Sequence, residues 1–262
     1  MSGRRSKAQR RHATGKPLRF GNAEYALASA HRVLAVELSQ VPVDRVTQFV
    51  VGWLRASFEQ SKVVATLTLA DMSPAAAPNR RCFIEIAMRL HWLHDLPQSD
   101  RAGAVDAMLD AEREQTLKTF DHLREMGWNE EPDFEAMNAF VLNVTSNGQI
   151  KDQARKFASA AHATIVKNPG PFRAWREESS YAHATGYLAG AYAPVSDDTM
   201  GVGRPHVLDP DLDAHRMMTV FVIMLTYRLL VEEGTDESLA MTIVDAFFDT
   251  HDDHSAAKND SN

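Results

Sequence analysis

Cysteine is almost absent from this chain: Cys82 is the single one in 262 residues. That excludes an intrachain disulfide, and the apolar neighbours of Cys82 make it a small core residue of a protein kept in a reducing compartment. Long hydrophobic runs are also missing. The longest, Met217 to Val231, is 15 residues long and holds Arg228, short of the roughly 20 residues that cross a bilayer, so it reads as a core helix. Alternating apolar and polar residues bounded by hairpin turns are scarce, which argues against an all-β architecture. Acid is absent from residues 1–19, which instead carry Arg4, Arg5, Lys7, Arg10, Arg11, Lys16 and Arg19. This arm lacks the apolar core of a secretory signal, and a cytoplasmic protein is expected.

Hydrophobic residues make up 44% of the chain, ample for a sizeable core. The formal net charge of −7 combines the basic arm with a strongly acidic remainder. Such an arm can contact nucleic acid or fold back on its own acidic body. Helical periodicity recurs almost everywhere else. Asn22 is expected to cap a helix to about Gln40, Val41-Pro42-Val43-Asp44 to break it and start a longer one to about Asp71, and Ser99 or Asp100 to cap one that stops at Gly127. Helices are expected over 79–95, 134–141, 149–167, 172–192, 211–233 and 235–250, with a break at Asn168-Pro169-Gly170-Pro171 and a Pro/Gly-rich loop over 194–210. The expectation is an all-α protein: a compact array of eight or nine helices, with a disordered basic arm over 1–19, one helical domain over 20–250 and a polar tail over 251–262.

Two helices carry candidate site residues. In NRRCFIEIAMRLHWLHD, residues 79–95, apolar groups lie among the charges on nearly every side, so the helix is expected to be covered and its charges enclosed. Arg81 and Glu85 stand four apart and Arg89 can take the other side of the same carboxylate. On a solvated face these pairs contribute only about 0.2–0.5 kcal/mol each. Enclosed, the same groups either order the packing or bind a polar ligand. His91 and Asp95, also four apart, have the spacing of two metal ligands, but no third is nominated. In FRAWREESSYAHATGYLAGAY, residues 172–192, Ala182, Gly186, Ala189 and Gly190 form a strip suited to close helix contact. Ser180, His183 and Tyr187 lie beside it, with Tyr181 nearby. A serine three residues before a histidine lacks the orienting group and oxyanion site of a hydrolase.

The spacing Arg-x(4–6)-His, present as Arg89 to His94 and as Arg176 to His183, arises readily by chance in a chain with 11 His. The order of the motifs is more telling. Arg81, Glu85 and Trp92 in RRCFIEIAMRLHWL, followed by Ser179, Ser180, Tyr181 and His183 in SSYAHATGYL, resemble a bacterial family of helical domains of unknown function over about residues 79–230. That family is similar in style to HEPN and abortive-infection proteins. The resemblance implies an all-α fold, a bacterial cytoplasm and a defence or toxin role. Glu177, after Arg176, suits the polar residue that often follows the HEPN arginine better than Leu90, after Arg89. His94-Asp95 is like the dipeptide of HD-type metal phosphohydrolases, which also need an upstream histidine; none lies between His31 and His91.

The expected function is a helical module that binds a protein partner or small polar ligand through Arg81, Glu85, Arg89, Tyr181 and His183. The alternative is a metal-independent ribonuclease in which Arg176 holds the scissile phosphate, His183 is general acid/base and residues 1–19 recruit RNA. Neither reading calls for a metal or cofactor, or for a membrane. Apolar helical surfaces are compatible with a homodimer, although no heptad seam specifies one.

Overall fold

Helix starts and stops follow local chemistry at several places in the computed structural model, which describes residues 17–129, 131–135, 141–165 and 169–249. Helix α1 spans Leu18–Leu34 and α2 Arg45–Leu69. Asp44 caps α2 in a reciprocal box: its carboxylate accepts the Thr47 N–H at 2.8 Å, and its own N–H donates to Thr47 Oγ1 at 3.0 Å. A 3-10 turn, Ser73–Ala76, feeds directly into α3, Ala77–Asp95, with Pro78 in the first turn. Helix α4, Gln98–Glu125, ends at Gly127, whose φ of +86° suits glycine.

The following segment departs from expectation. Asn147 caps a short α5, Gly148–Arg155, and the chain extends at Lys156 before α6, Phe157–Ile165, so two helices replace the single one expected over 149–167. Helix α7, Pro169–Ala182, places its prolines in the first turn, where a missing N–H costs nothing. The helix expected over 172–192 is interrupted after Ala182. Thr185 Oγ1 donates to the Ser180 carbonyl at 2.5 Å and accepts the Leu188 N–H at 3.2 Å, capping a separate α8, Gly186–Tyr192. The expected strip of small residues is thereby divided, and among the described residues nothing packs closely where a side chain would stand at Gly186 or Gly190.

The loop 194–210 holds a minimal hairpin, β1 (Val195–Ser196) with β2 (Thr199–Met200), turned by Asp197 and Asp198 at φ of 49° and 59°. Helices α9, Asp213–Glu232, and α10, Glu237–Phe248, complete the described chain. Asp236 caps α10, accepting from the N–H groups of Ser238 and Leu239. The architecture is all-α, with ten α-helices among the described residues rather than eight or nine. Helix α1 already begins at Leu18, inside the segment expected as a basic arm; Arg19 belongs to it and pairs with Asp71 at 3.0 Å. Residues 1–16, the polar tail and most of the short helix expected over 134–141 lie outside the described residues.

One apolar cluster holds most helices together. It takes Val33 from α1, Leu54 and Phe58 from α2, Phe83, Leu90 and Leu93 from α3, Val105 from α4, Ile150 from α5, Leu229 from α9 and Phe247 from α10. Burial of each large side chain contributes about 1.5–3 kcal/mol. Helix α9 is the one helix among the described residues long and apolar enough to cross a bilayer, yet Val222, Ile223, Leu229 and Leu230 are all fully buried in this cluster. Asn22, expected as a helix cap, is buried inside α1. Its amide donates to the Asp211 carbonyl at 2.6 Å and to Asp213 Oδ1 at 3.1 Å, and its oxygen accepts from Arg216 at 2.6 Å. It ties α1 to the start of α9.

Candidate functional site

Helix α3 is enclosed as its sequence suggests, and its charges part in three directions. Arg81 and Glu85 pair at 2.8 Å and face α7, where Glu85 Oε1 accepts the Trp175 indole N–H at 2.8 Å and Arg81 Nε donates to Ser179 Oγ at 3.1 Å. Their side chains are 25% and 29% exposed, so this is a seam at the protein surface. Arg89 points away from it. Buried to 9% exposure, it donates to the carbonyls of Gln153 at 2.9 Å and Ala154 at 3.2 Å. It thus satisfies the last turn of α5, and its guanidinium lies 5.4 Å from both the Trp92 and the Phe157 rings. Burial lowers its pKa to about 10, which still leaves it cationic at neutral pH.

The third direction is the most deeply buried. Arg80, 4% exposed, meets Glu178, 2% exposed, through two bonds, Nε to Oε1 at 2.6 Å and Nη2 to Oε2 at 3.2 Å, while Nη1 donates to the Ser73 carbonyl at 2.7 Å. Every oxygen and nitrogen of this fork-to-fork pair is committed to holding α7 on α3 and the preceding turn. Burial pushes the Glu178 carboxyl up, and the Arg80 bonds oppose the shift.

Beside this pair lies His215, in the first turn of α9 and 5% exposed. Its Nε2 stands 2.9 Å from Ser61 Oγ, its ring packs 4.6 Å from that of Phe83, and its backbone N–H donates to Asp209 Oδ2 at 2.8 Å. Burial, with the neighbouring Arg80 charge second, depresses the imidazole to about 4, so the ring is neutral at pH 7. The Ser61–His215 distance matches that of a nucleophile and base, but Ser61 is fully buried and no substrate can reach its hydroxyl.

A cavity of about 350 Å³ opens between α3, α7 and the start of α9, of a size common for small-molecule sites. Phe83, Ile84, Ala174, Leu208, Ala214 and Met218 make its wall mostly apolar; Arg80, Glu178, Asp209 and His215 supply polar groups, with Arg173 and Glu177 also lining it.

The remaining candidates lie apart from this cavity. Tyr181 lines a separate groove with Tyr187 and Gly190. Arg176 is exposed, with its guanidinium 5.8 Å from the Trp175 ring, and His183 is exposed just beyond the end of α7. His91 and Asp95 stand 3.4 Å apart, and His94 lies 3.8 Å from Glu232. Among the described residues no three His, Cys, Asp or Glu side chains converge as metal ligands.

An internal Arg, Glu and His cluster therefore exists, built from Arg80, Glu178 and His215, which sequence reasoning passed over. Each had a signal. Arg80 is in phase with Phe83, Ile84 and Ala87; Glu178 lies three residues after Trp175; His215 is in step with Thr219, Val222 and Leu229. Comparison with known proteins gives no matching family model, no matching curated protein and no matching solved structure.

Proposed function

We propose that this protein is a helical module that binds a small, largely apolar molecule in the cavity between α3, α7 and α9. The observation that carries the reading is the combination of about 350 Å³ of space with a preformed polar end made by Arg80, Glu178 and His215. Buried charges destabilise unless every bond is made, and here a bidentate pair beside a space lined by apolar side chains holds the polar end rigid before any ligand arrives.

The test is a thermal-shift screen of small apolar compounds against the wild type and Ala214→Trp, which fills the mouth of the cavity from an exposed position. A ligand at a hundred times its Kd adds about 2.7 kcal/mol to the wild type, and the variant loses the shift while keeping its unliganded Tm. Equal shifts in both proteins would refute the reading.

The ribonuclease reading is supported by the exposure of both Arg176, on α7, and His183, just beyond its end. Two turns of helix, about 10 Å, separate positions seven apart, so RNA would have to bridge them. That reading predicts RNA cleavage that persists in EDTA and disappears in His183→Ala; intact RNA after incubation with concentrated protein rules it out.

A further inference from the structure

The cavity's polar groups are unequally satisfied. Arg80 and Glu178 saturate one another, and Arg173 pairs with Glu177 at 2.8 Å. Two groups are left. Asp209 accepts the His215 backbone N–H through Oδ2 and has no salt bridge among the described residues. His215, 95% buried by its 5% exposure, has Nε2 held by Ser61 and no partner for Nδ1 among the described residues.

The tautomer follows from Ser61. Its hydroxyl has no acceptor other than His215 Nε2 among the described residues, and a buried hydroxyl that fails to donate is costly. Nε2 is therefore the acceptor and the ring proton sits on Nδ1, which makes His215 an N–H donor at the cavity wall. A few residues away in sequence, Asp209 offers an acceptor.

We propose that the cavity recognises an uncharged hydroxyl, the polar end of a small apolar alcohol or phenol, which accepts from His215 Nδ1–H and donates to Asp209. This deepens the small-molecule reading above and rests on it. A full charge of either sign fits less well: a carboxylate would meet Asp209 and Glu178, and an ammonium, although Asp209 attracts it, has no lone pair to accept the Nδ1–H. At about 350 Å³ the space suits a small molecule.

The experiment is calorimetric titration of the full chain with four probes that share one apolar body: phenylbutanol, phenylbutylamine, phenylbutyrate and butylbenzene. Phenylbutanol is expected to bind tightest, with the amine and the carboxylate weaker by about tenfold or more. His215→Phe is expected to erase the preference, so that phenylbutanol binds the variant no tighter than butylbenzene does. Tighter binding of the amine or the carboxylate to the wild type, or a preference for the alcohol unaltered in His215→Phe, overturns the hydroxyl assignment while the cavity reading survives. Binding of none of the four, together with no ligand in the Ala214→Trp screen, overturns both.

Discussion

A neutral imidazole at the bottom of a cavity ties stability to pH. The folded chain holds His215 at about 4 and the unfolded chain at its ordinary 6.5. Between those values the unfolded chain binds a proton that the folded chain refuses, so stability rises with pH across the window. It is complete above about pH 6.5 and falls as pH drops toward 4, by about 3 kcal/mol in all. Glu178, raised by burial, titrates in the opposite sense, so the difference between wild type and His215→Phe isolates the histidine. Urea unfolding from pH 7 to pH 4 should show a steeper loss in the wild type; parallel profiles would mean a solvated ring. The Arg80–Glu178 pair makes a second test. Arg80→Met strands a buried carboxylate and should cost about 3–5 kcal/mol, most of which returns when Glu178→Met is added.

Among the elements, the break between α5 and α6 and that between α7 and α8 are held by side chains that bond the backbone or side chains of the helix ends. Arg89 reaches across from α3 to hold the last carbonyls of α5, and the Trp92 indole N–H donates to Gln153 Oε1 at 2.9 Å in the same turn. Arg89→Met removes two charge-assisted bonds and should weaken the docking of residues 148–165 by about 2–3 kcal/mol. Hydrogen exchange is the measurement: amides of α5 and α6 should exchange faster while those of α2 and α9 keep their protection. The α7–α8 break has consequences for the expected Ser180, His183 and Tyr187 row, which presumed one continuous helix. With Thr185 starting a new helix, His183 falls in the connection, and Tyr187 is 75% exposed.

Across the molecule, the far end of α3 is fastened by one residue. Arg101, 4% exposed, donates to the carbonyls of Leu93 and His94 and bridges Glu232 at 2.6 Å and Glu233 at 2.8 Å. It satisfies the end of α3 and neutralises two acids at the end of α9, where the helix dipole disfavours them. Arg101→Met should lower stability by about 3–5 kcal/mol, read as a fall in the urea midpoint at unchanged m-value. Asn22 performs the corresponding task at the start of α9, so α9 is pinned at both ends around the cavity that its first turn lines.

Periodicity, the break at Val41-Pro42-Val43-Asp44 and the stop at Gly127 were enough to read most helices, because helix signals and amphipathic spacing act within a few residues of chain. Enclosure of α3 was legible for the same reason. The choice of Arg80 over Arg81 as the buried cation was not, since the two lie 100° apart on one helix and only the docking of α7 decides which faces Glu178. His215 likewise meets Ser61 across 154 residues of sequence, and Asn22 meets Asp213 across 191. Bonds of that reach depend on where whole helices come to rest, and the packing of the shared core sets those positions.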